Sequence, residues 1–264
     1  MSDLVYRRNL LALSTRNPGL AARLDGTEPD PRLRIQPARS GAPVPVYALA
    51  EREAAFHSLM DPRREGERLA AVQAPGGFVV ALGLGGGYGL GPFLASSATT
   101  GVLVVEYRAS LLRALLEELD LSELFVDGRV SLVLDPEPGE LEAALLSSYL
   151  PPLAGDIRTV PLRGRVDLDP ERFAGAAASI RAVLSRISDD YSVQAFFGKL
   201  WFRNAVRNLF IAERPAAALP PIRKAAVTAA GPSLEAGLPA LREARDKGAF
   251  LIATDTSLPA LVGA

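Results

Sequence analysis

Two glycine-containing turns carry most of the chemistry this sequence can offer. The first is Gly83-Leu-Gly-Gly-Gly-Tyr-Gly-Leu-Gly91, directly after the apolar run Phe78 to Leu82. Glycines there let backbone N–H groups approach a ligand closely, and a following helix N-terminus adds the positive end of its dipole. Gly83, Gly85, Gly87 and Gly89 would form the cradle, and Glu106 ends the next apolar run, where an acidic side chain commonly takes ribose hydroxyls. The spacing fits a methyltransferase-type Gly-x-Gly-x-Gly better than the dinucleotide Gly-x-Gly-x-x-Gly. A tight strand-to-helix turn without a ligand explains the same glycines, and both readings stay open.

The second turn is Ala229-Ala230-Gly231-Pro232-Ser233, with Ser233 in place to cap a helix. Thr254-Asp255-Thr256 ends the next apolar run, and Asp255 stands 22 residues after Ser233. Backbone N–H groups and a capping hydroxyl suit a phosphate, and a carboxylate at the neighbouring strand end suits sugar hydroxyls. Gly231, Pro232, Ser233, Thr254, Asp255 and Thr256 therefore form a candidate nucleotide site. Gly-Pro-Ser is a rarer composition for such a turn than a glycine run, which weights this second turn toward function. His57 reads as a structural hydrogen-bonder and Asp189-Asp190 as a helix cap. Asn204 and Asn208, one helical turn apart, could hold a polar ligand, but the Phe and Trp around them read as core.

Composition removes other chemistries. The chain has 264 residues, 48% of them hydrophobic and 22% charged, so a packed core is within reach. Its 29 basic and 30 acidic residues nearly cancel, which argues against a general nucleic-acid coat or a polybasic membrane patch. Without cysteine there is no thiolate nucleophile, disulfide or zinc ribbon, and with His57 the one histidine there is no multi-histidine metal site. No cofactor and no metal are assigned. The N-terminal Met-Ser-Asp-Leu-Val-Tyr-Arg-Arg lacks an apolar stretch behind its charges, so cytoplasm is the expectation. Gly83, Gly87 and Gly91 recur at the spacing of packed membrane helices. Phe78 to Leu82 is far shorter than the roughly 20 residues a span needs, so it reads as a buried strand.

The elements that position these turns follow from periodicity. Asp3 to Leu13 and Gly19 to Leu24 read as helices, and Leu33 to Ile35 with Val44 to Tyr47 as a hairpin. From Arg63 the pattern alternates: helix 63–72, strand 78–82, helix near Phe93, strand 102–105, helix 110–119, strand 130–134, helix 140–146. That rhythm predicts a parallel sheet with crossover helices. Pro151 to Pro161 reads as loop and strand. Two helices follow, 171–187 and from Ser188 onward, then a linker from Arg214 to Pro221. Strand 225–228, helix 234–245 and strand 250–253 open a second alternation. The expected fold is α/β, with a helix-and-hairpin cap over 1–75, a Rossmann-like domain over 76–150, a helical connector over 151–221, and the beginning of a second Rossmann-like domain over 222–264. Two strands and one helix cannot bury a three-layer core, so an exposed apolar face is expected after Pro221.

Several segments together resemble the motility accessory factor family of flagellin glycosyltransferases, along nearly the whole chain. They are Asn9-Leu-Leu-Ala-Leu, His57-Ser-Leu-Met-Asp-Pro-Arg-Arg-Glu-Gly-Glu-Arg-Leu, the strand with Gly83 to Gly91, Val104-Val-Glu106 and Phe197-Gly-Lys-Leu-Trp-Phe-Arg-Asn-Ala-Val-Arg-Asn-Leu209. Ala230-Gly-Pro-Ser-Leu with Ala253-Thr-Asp-Thr256 completes the set. The resemblance implies transfer of a nonulosonic acid, such as pseudaminic or legionaminic acid, from its CMP-activated form to Ser or Thr of flagellin. It further implies a sialyltransferase-like domain in which Gly231, Pro232, Ser233 and Asp255 face CMP. Family members continue well past this point, so most of the transferase domain is expected to be absent. Flagellin and a nucleotide sugar are the implied partners, with no nucleic acid and no membrane span. The alternatives are an S-adenosylmethionine-dependent methyltransferase, a hydroxymethylpterin pyrophosphokinase-like protein, and a non-catalytic flagellar partner.

Overall fold

A computed structural model describes residues 2–73, 76–212 and 221–262. The chain divides into two compact units, residues 1–192 and 193–264. In the first, helices α1 (Ser2–Ser14) and α2 (Pro18–Asp25) lead into strands β1 (Leu33–Pro37), β2 (Pro43–Ala48) and β3 (Glu53–Ala55). Then come α3 (Pro62–Gln73), β4 (Gly77–Leu82), α4 (Gly91–Leu94), β5 (Thr99–Glu106), α5 (Ala109–Glu118), α6 (Ser122–Val126), β6 (Val130–Leu134) and α7 (Pro138–Ser148). The unit closes with α8 (Pro151–Ala154), β7 (Ile157–Pro161), α9 (Arg163–Val166) and the first half of α10 (Pro170–Ala212).

The expected hairpin forms between β1 and β2 and gains β3 as a third antiparallel strand. The parallel sheet runs β6-β5-β4-β7. Its alternation of side chains divides the core. Val79, Ala81, Val102 and Val104 pack with α5, while Phe78, Val80, Leu82, Leu103 and Val105 pack with α7 and α10. The sheet extends past residue 150, where the helical connector was expected to start, because β7 pairs along β4 from Phe78↔Ile157 to Leu82↔Pro161. Its second face also needs α10: Phe173, Ala176, Ile180 and Val183, at helical spacing, are buried there.

One helix replaces the two expected between 171 and 212. Pro170 is its only proline, so nothing after the first turn removes a backbone donor, and Asp189 and Asp190 lie in its interior rather than at a cap. The Phe and Trp side chains expected as core around Asn204 and Asn208 are exposed, with Phe196 at 80% and Trp201 at 51%. The expected linker from Arg214 lies outside the described residues apart from Pro221. In the second unit, β8 (Ala225–Thr228) and β9 (Phe250–Ala253) pair in parallel through the crossover helix α11 (Ser233–Asp246), and α12 (Leu258–Val262) follows. Val227, Phe250 and Ile252 are exposed on alternate positions of this two-stranded sheet, giving the apolar face expected there.

Two polar clasps fix the first unit. Asn9, fully buried, donates to the carbonyls of Leu116 and Leu119 at 2.8 and 2.7 Å and accepts from Leu121 N–H at 2.8 Å. It thereby satisfies the orphan carbonyls at the end of α5 and locks α1 against it. Asp30 accepts from Arg32 and from the Tyr47 hydroxyl, and the Arg32 hydrogen bond, despite burial, holds its carboxyl down at about 2. A carboxylate depressed on folding stabilises above its unfolded pKa and loses that effect as pH falls toward about 2. Asp30→Asn should therefore lower the melting temperature by about 3–8 °C at pH 7, with the difference from wild type closing by pH 2. Thermal melts of both proteins across that range check it; a constant gap contradicts the assignment.

Candidate functional site

The parallel sheet reverses its strand order between β4 and β7, and ligands of open α/β sheets bind in the crevice beyond such a point. Here the chain fills that crevice itself. Gly83 has φ +94°, and a Cβ on it would lie 2.8 Å from Arg165 Cγ. Gly85 has φ +51°, and a Cβ there would lie 2.5 Å from both His57 Nε2 and Leu162 Cδ2. These two glycines are required by the protein's own close packing. The loop donors are engaged too: Leu84 N–H donates to Glu106 Oε2 at 2.9 Å, and Gly86 N–H to His57 Nε2 at 2.8 Å. Gly87 turns the loop by donating to Leu84 O and accepting from Leu90 and Gly91, and Gly89 packs near Leu69.

Glu106 does not stand free for a ribose. It is fully buried, and its Oε1 accepts from Tyr107 N–H at 2.8 Å and pairs with Arg165 Nη2 at 2.8 Å. Burial pushes its carboxyl above the ordinary glutamate range, opposed by the Arg165 charge and the N–H groups of Leu84 and Tyr107. Arg165 has 0% exposure, donates to Tyr107 O at 2.8 Å and bridges to Asp169 at 2.6 Å. Asp169 in turn holds Arg108, whose guanidinium reaches the Tyr47 hydroxyl at 3.2 Å. A single polar chain thus runs from the parallel sheet through Arg165 and Arg108 to Tyr47 and Asp30 of the hairpin region.

Sequence reasoning missed Arg165, since an isolated arginine reads as surface. The available signal was its spacing of four from Asp169, in a turn following a proline-ended strand. His57, read as structural, acts so: Nε2 accepts from Gly86, which places the proton on Nδ1, 3.4 Å from Glu65 Oε2.

The second candidate site has a different geometry. β8 and β9 are parallel and adjacent, so the Gly231-Pro232-Ser233 turn and the Thr254-Asp255-Thr256 turn leave the same carboxyl edge. They are tied together below the surface. Thr254 N–H donates to Thr228 O at 3.0 Å, and the Ser257 hydroxyl donates to Thr228 O at 3.2 Å and Thr254 O at 2.9 Å. Ser257 is fully buried and was overlooked, although a serine just before an apolar run is itself a helix-start signal. Asp255 is exposed and accepts from Thr256 N–H at 2.8 Å. Ser233 is not the cap: Pro232 occupies that position with φ −57° and ψ −25°, and no side chain caps the helix. The proline ring fixes a helical φ, so the helix effectively begins one residue early and the exposed Ser233 hydroxyl belongs to its first turn.

Removing Arg165 from its pocket leaves Glu106 and Asp169 without their shared cation. Arg165→Met should cost about 3–5 kcal/mol and lower the melting temperature by roughly 6–20 °C. Adding Glu106→Gln to it should recover much of that loss, because the buried charge is then gone. Equal melting of wild type and Arg165→Met would show that the buried pair does not hold the unit together.

No family model matches the chain. The solved structure of the MAf glycosyltransferase from Magnetospirillum magneticum AMB-1 matches all of this chain with a TM-score of 0.57 and 14% identity, and the chain spans 48% of that protein. That likeness shows the fold: α/β, with a Rossmann-like parallel sheet. Among the described residues, no helix is long and apolar enough to cross a membrane. An uncharacterized protein of Treponema pallidum (strain Nichols) is 32% identical over 145 residues, which cover 54% of this chain and 69% of that protein. The chain belongs to the same family as this Treponema pallidum protein.

Proposed function

We propose that the chain carries the nucleotide-binding edge of a flagellin glycosyltransferase, acting in the cytoplasm on a CMP-activated nonulosonic acid. The observation that carries this reading is the meeting of the Gly231-Pro232-Ser233 and Thr254-Asp255-Thr256 turns at one carboxyl edge. N–H groups in the first turn of α11 and the dipole of that helix suit the phosphate of CMP. Asp255, exposed at the neighbouring strand end, suits the ribose hydroxyls, with Thr254 and Thr256 beside it. The likeness in fold to a MAf glycosyltransferase supports the same reading.

In the reaction, a serine or threonine hydroxyl of flagellin attacks the anomeric carbon. The bond from that carbon to the phosphate oxygen breaks, CMP leaves with its electron pair, and the hydroxyl proton passes to solvent or a base. The residues of this chain would hold the phosphate and ribose and thereby place the leaving group. The methyltransferase alternative is disfavoured because Arg165 and Leu162 stand where its cofactor would lie and Glu106 is already paired.

CMP at about 100 times its Kd should stabilise the protein by about 2.7 kcal/mol, and S-adenosylmethionine should leave its melting unchanged. Asp255→Ala should weaken CMP binding about tenfold without altering the melting of the free protein, since the side chain is exposed. Calorimetric titration of both proteins with both ligands checks this. Binding of S-adenosylmethionine but not CMP would overturn the reading.

A further inference from the structure

The first unit holds an open cleft of 580 Å³ at the carboxyl ends of β5 and β6, apart from the filled crevice beyond β4. Tyr107, Arg108, Asp135, Glu137, Glu171 and Arg172 line it, over an apolar floor that includes Leu141 and Ala176. Its size lies within the range of small-molecule sites, and it opens at the carboxyl ends of two parallel strands, away from the reversal of strand order. Arg108 and Asp135, with φ of 62° and 49°, are the two non-glycine residues with positive φ among the described residues. They follow the ends of the neighbouring strands β5 and β6 and hold each other, Arg108 N–H donating to Asp135 Oδ1 at 2.8 Å. Conformations of this kind concentrate at ligand sites, where the surroundings impose them.

The charges define the ligand. Both cations are already committed: Arg108 to Asp169, and Arg172 to Asp135 at 3.1 Å with its guanidinium 5.5 Å over the Tyr107 ring. Asp135 is itself shared among Arg172, Arg23 at 2.7 Å and the Arg108 N–H, while Glu137 and Glu171 add two more carboxylates to the lining, so a phosphate is disfavoured here. Carboxylates accept hydrogen bonds from hydroxyls, while the Ser110 and Ser179 hydroxyls can donate. We propose that this cleft binds a neutral, hydroxyl-rich small molecule of the monosaccharide class. It belongs to the first unit and does not depend on the CMP reading of the second.

Gly175 lines the cleft, and a Cβ there meets no atom within 4 Å, so a side chain can be attached at the opening without a clash at its base. Saturation-transfer NMR with methyl glucoside and N-acetylglucosamine, against glucose 6-phosphate, tests the proposal on the full chain. Both neutral sugars should bind, and glucose 6-phosphate at least about tenfold more weakly. Gly175→Phe should abolish the sugar signal while melting no lower than wild type, because glycine is a poor helix former. Glu171→Gln should weaken binding severalfold. Absence of binding by both neutral sugars, preference for glucose 6-phosphate, or undiminished binding in a folded Gly175→Phe would each overturn the assignment.

Discussion

The buried pairing of Arg165 with Glu106 sets the character of the first unit. Two opposite charges without solvent are tolerated only when nearly every donor and acceptor around them is satisfied. Glu106 achieves this with two backbone N–H groups and Arg165; Arg165 uses Asp169, Glu106 and the Tyr107 carbonyl, and its buried Nε is left without a partner. The pair joins the Gly83 loop, through Leu84 N–H on Glu106, to α9, which carries Arg165. It also sets the position of Asp169, on which Arg108 and the hairpin region depend. A Rossmann-like crevice that elsewhere receives a cofactor is here a protein interior.

This reassigns the glycines. Their number after a buried strand suggested a phosphate cradle, and the physical requirement was real: left-handed backbone and very close approach. At Gly83 and Gly85 what approaches is Arg165, Leu162 and His57. Glycine reports that something must come near the backbone, and the sequence alone does not say what. Burial of an arginine is equally illegible, because it depends on two carboxylates brought together from 59 residues before and four residues after it.

Much of the scaffold was legible from periodicity. Phe78 to Leu82, Val102 to Val105 and Val130 to Leu134 are apolar because both faces of a parallel sheet are covered, and all three are strands. A strand was legible before Pro161, but not its place as the edge of the parallel sheet: Ile-Arg-Thr-Val-Pro is part polar, as suits an edge, and lay within the stretch assigned to the connector. The unity of α10 was missed because paired aspartates resemble a cap, yet no proline stands there to remove a backbone donor and the helix passes through them. At the second edge, the strand ends and the Thr254-Asp255-Thr256 turn were legible. The cap was not, because Pro232 stabilises the helical φ that serine would otherwise have ended.

The two sheets thus differ at their carboxyl edges: beyond β4 the crevice is filled by Arg165, Leu162 and His57, and the second edge presents two turns to solvent. Backbone amide shifts followed during a CMP titration test this division most directly. The account predicts that Gly231, Ser233, Thr254, Asp255 and Thr256 move while Leu84, Gly86 and Glu106 stay in place. Movement of Leu84, Gly86 and Glu106 without a response at the second edge would contradict it.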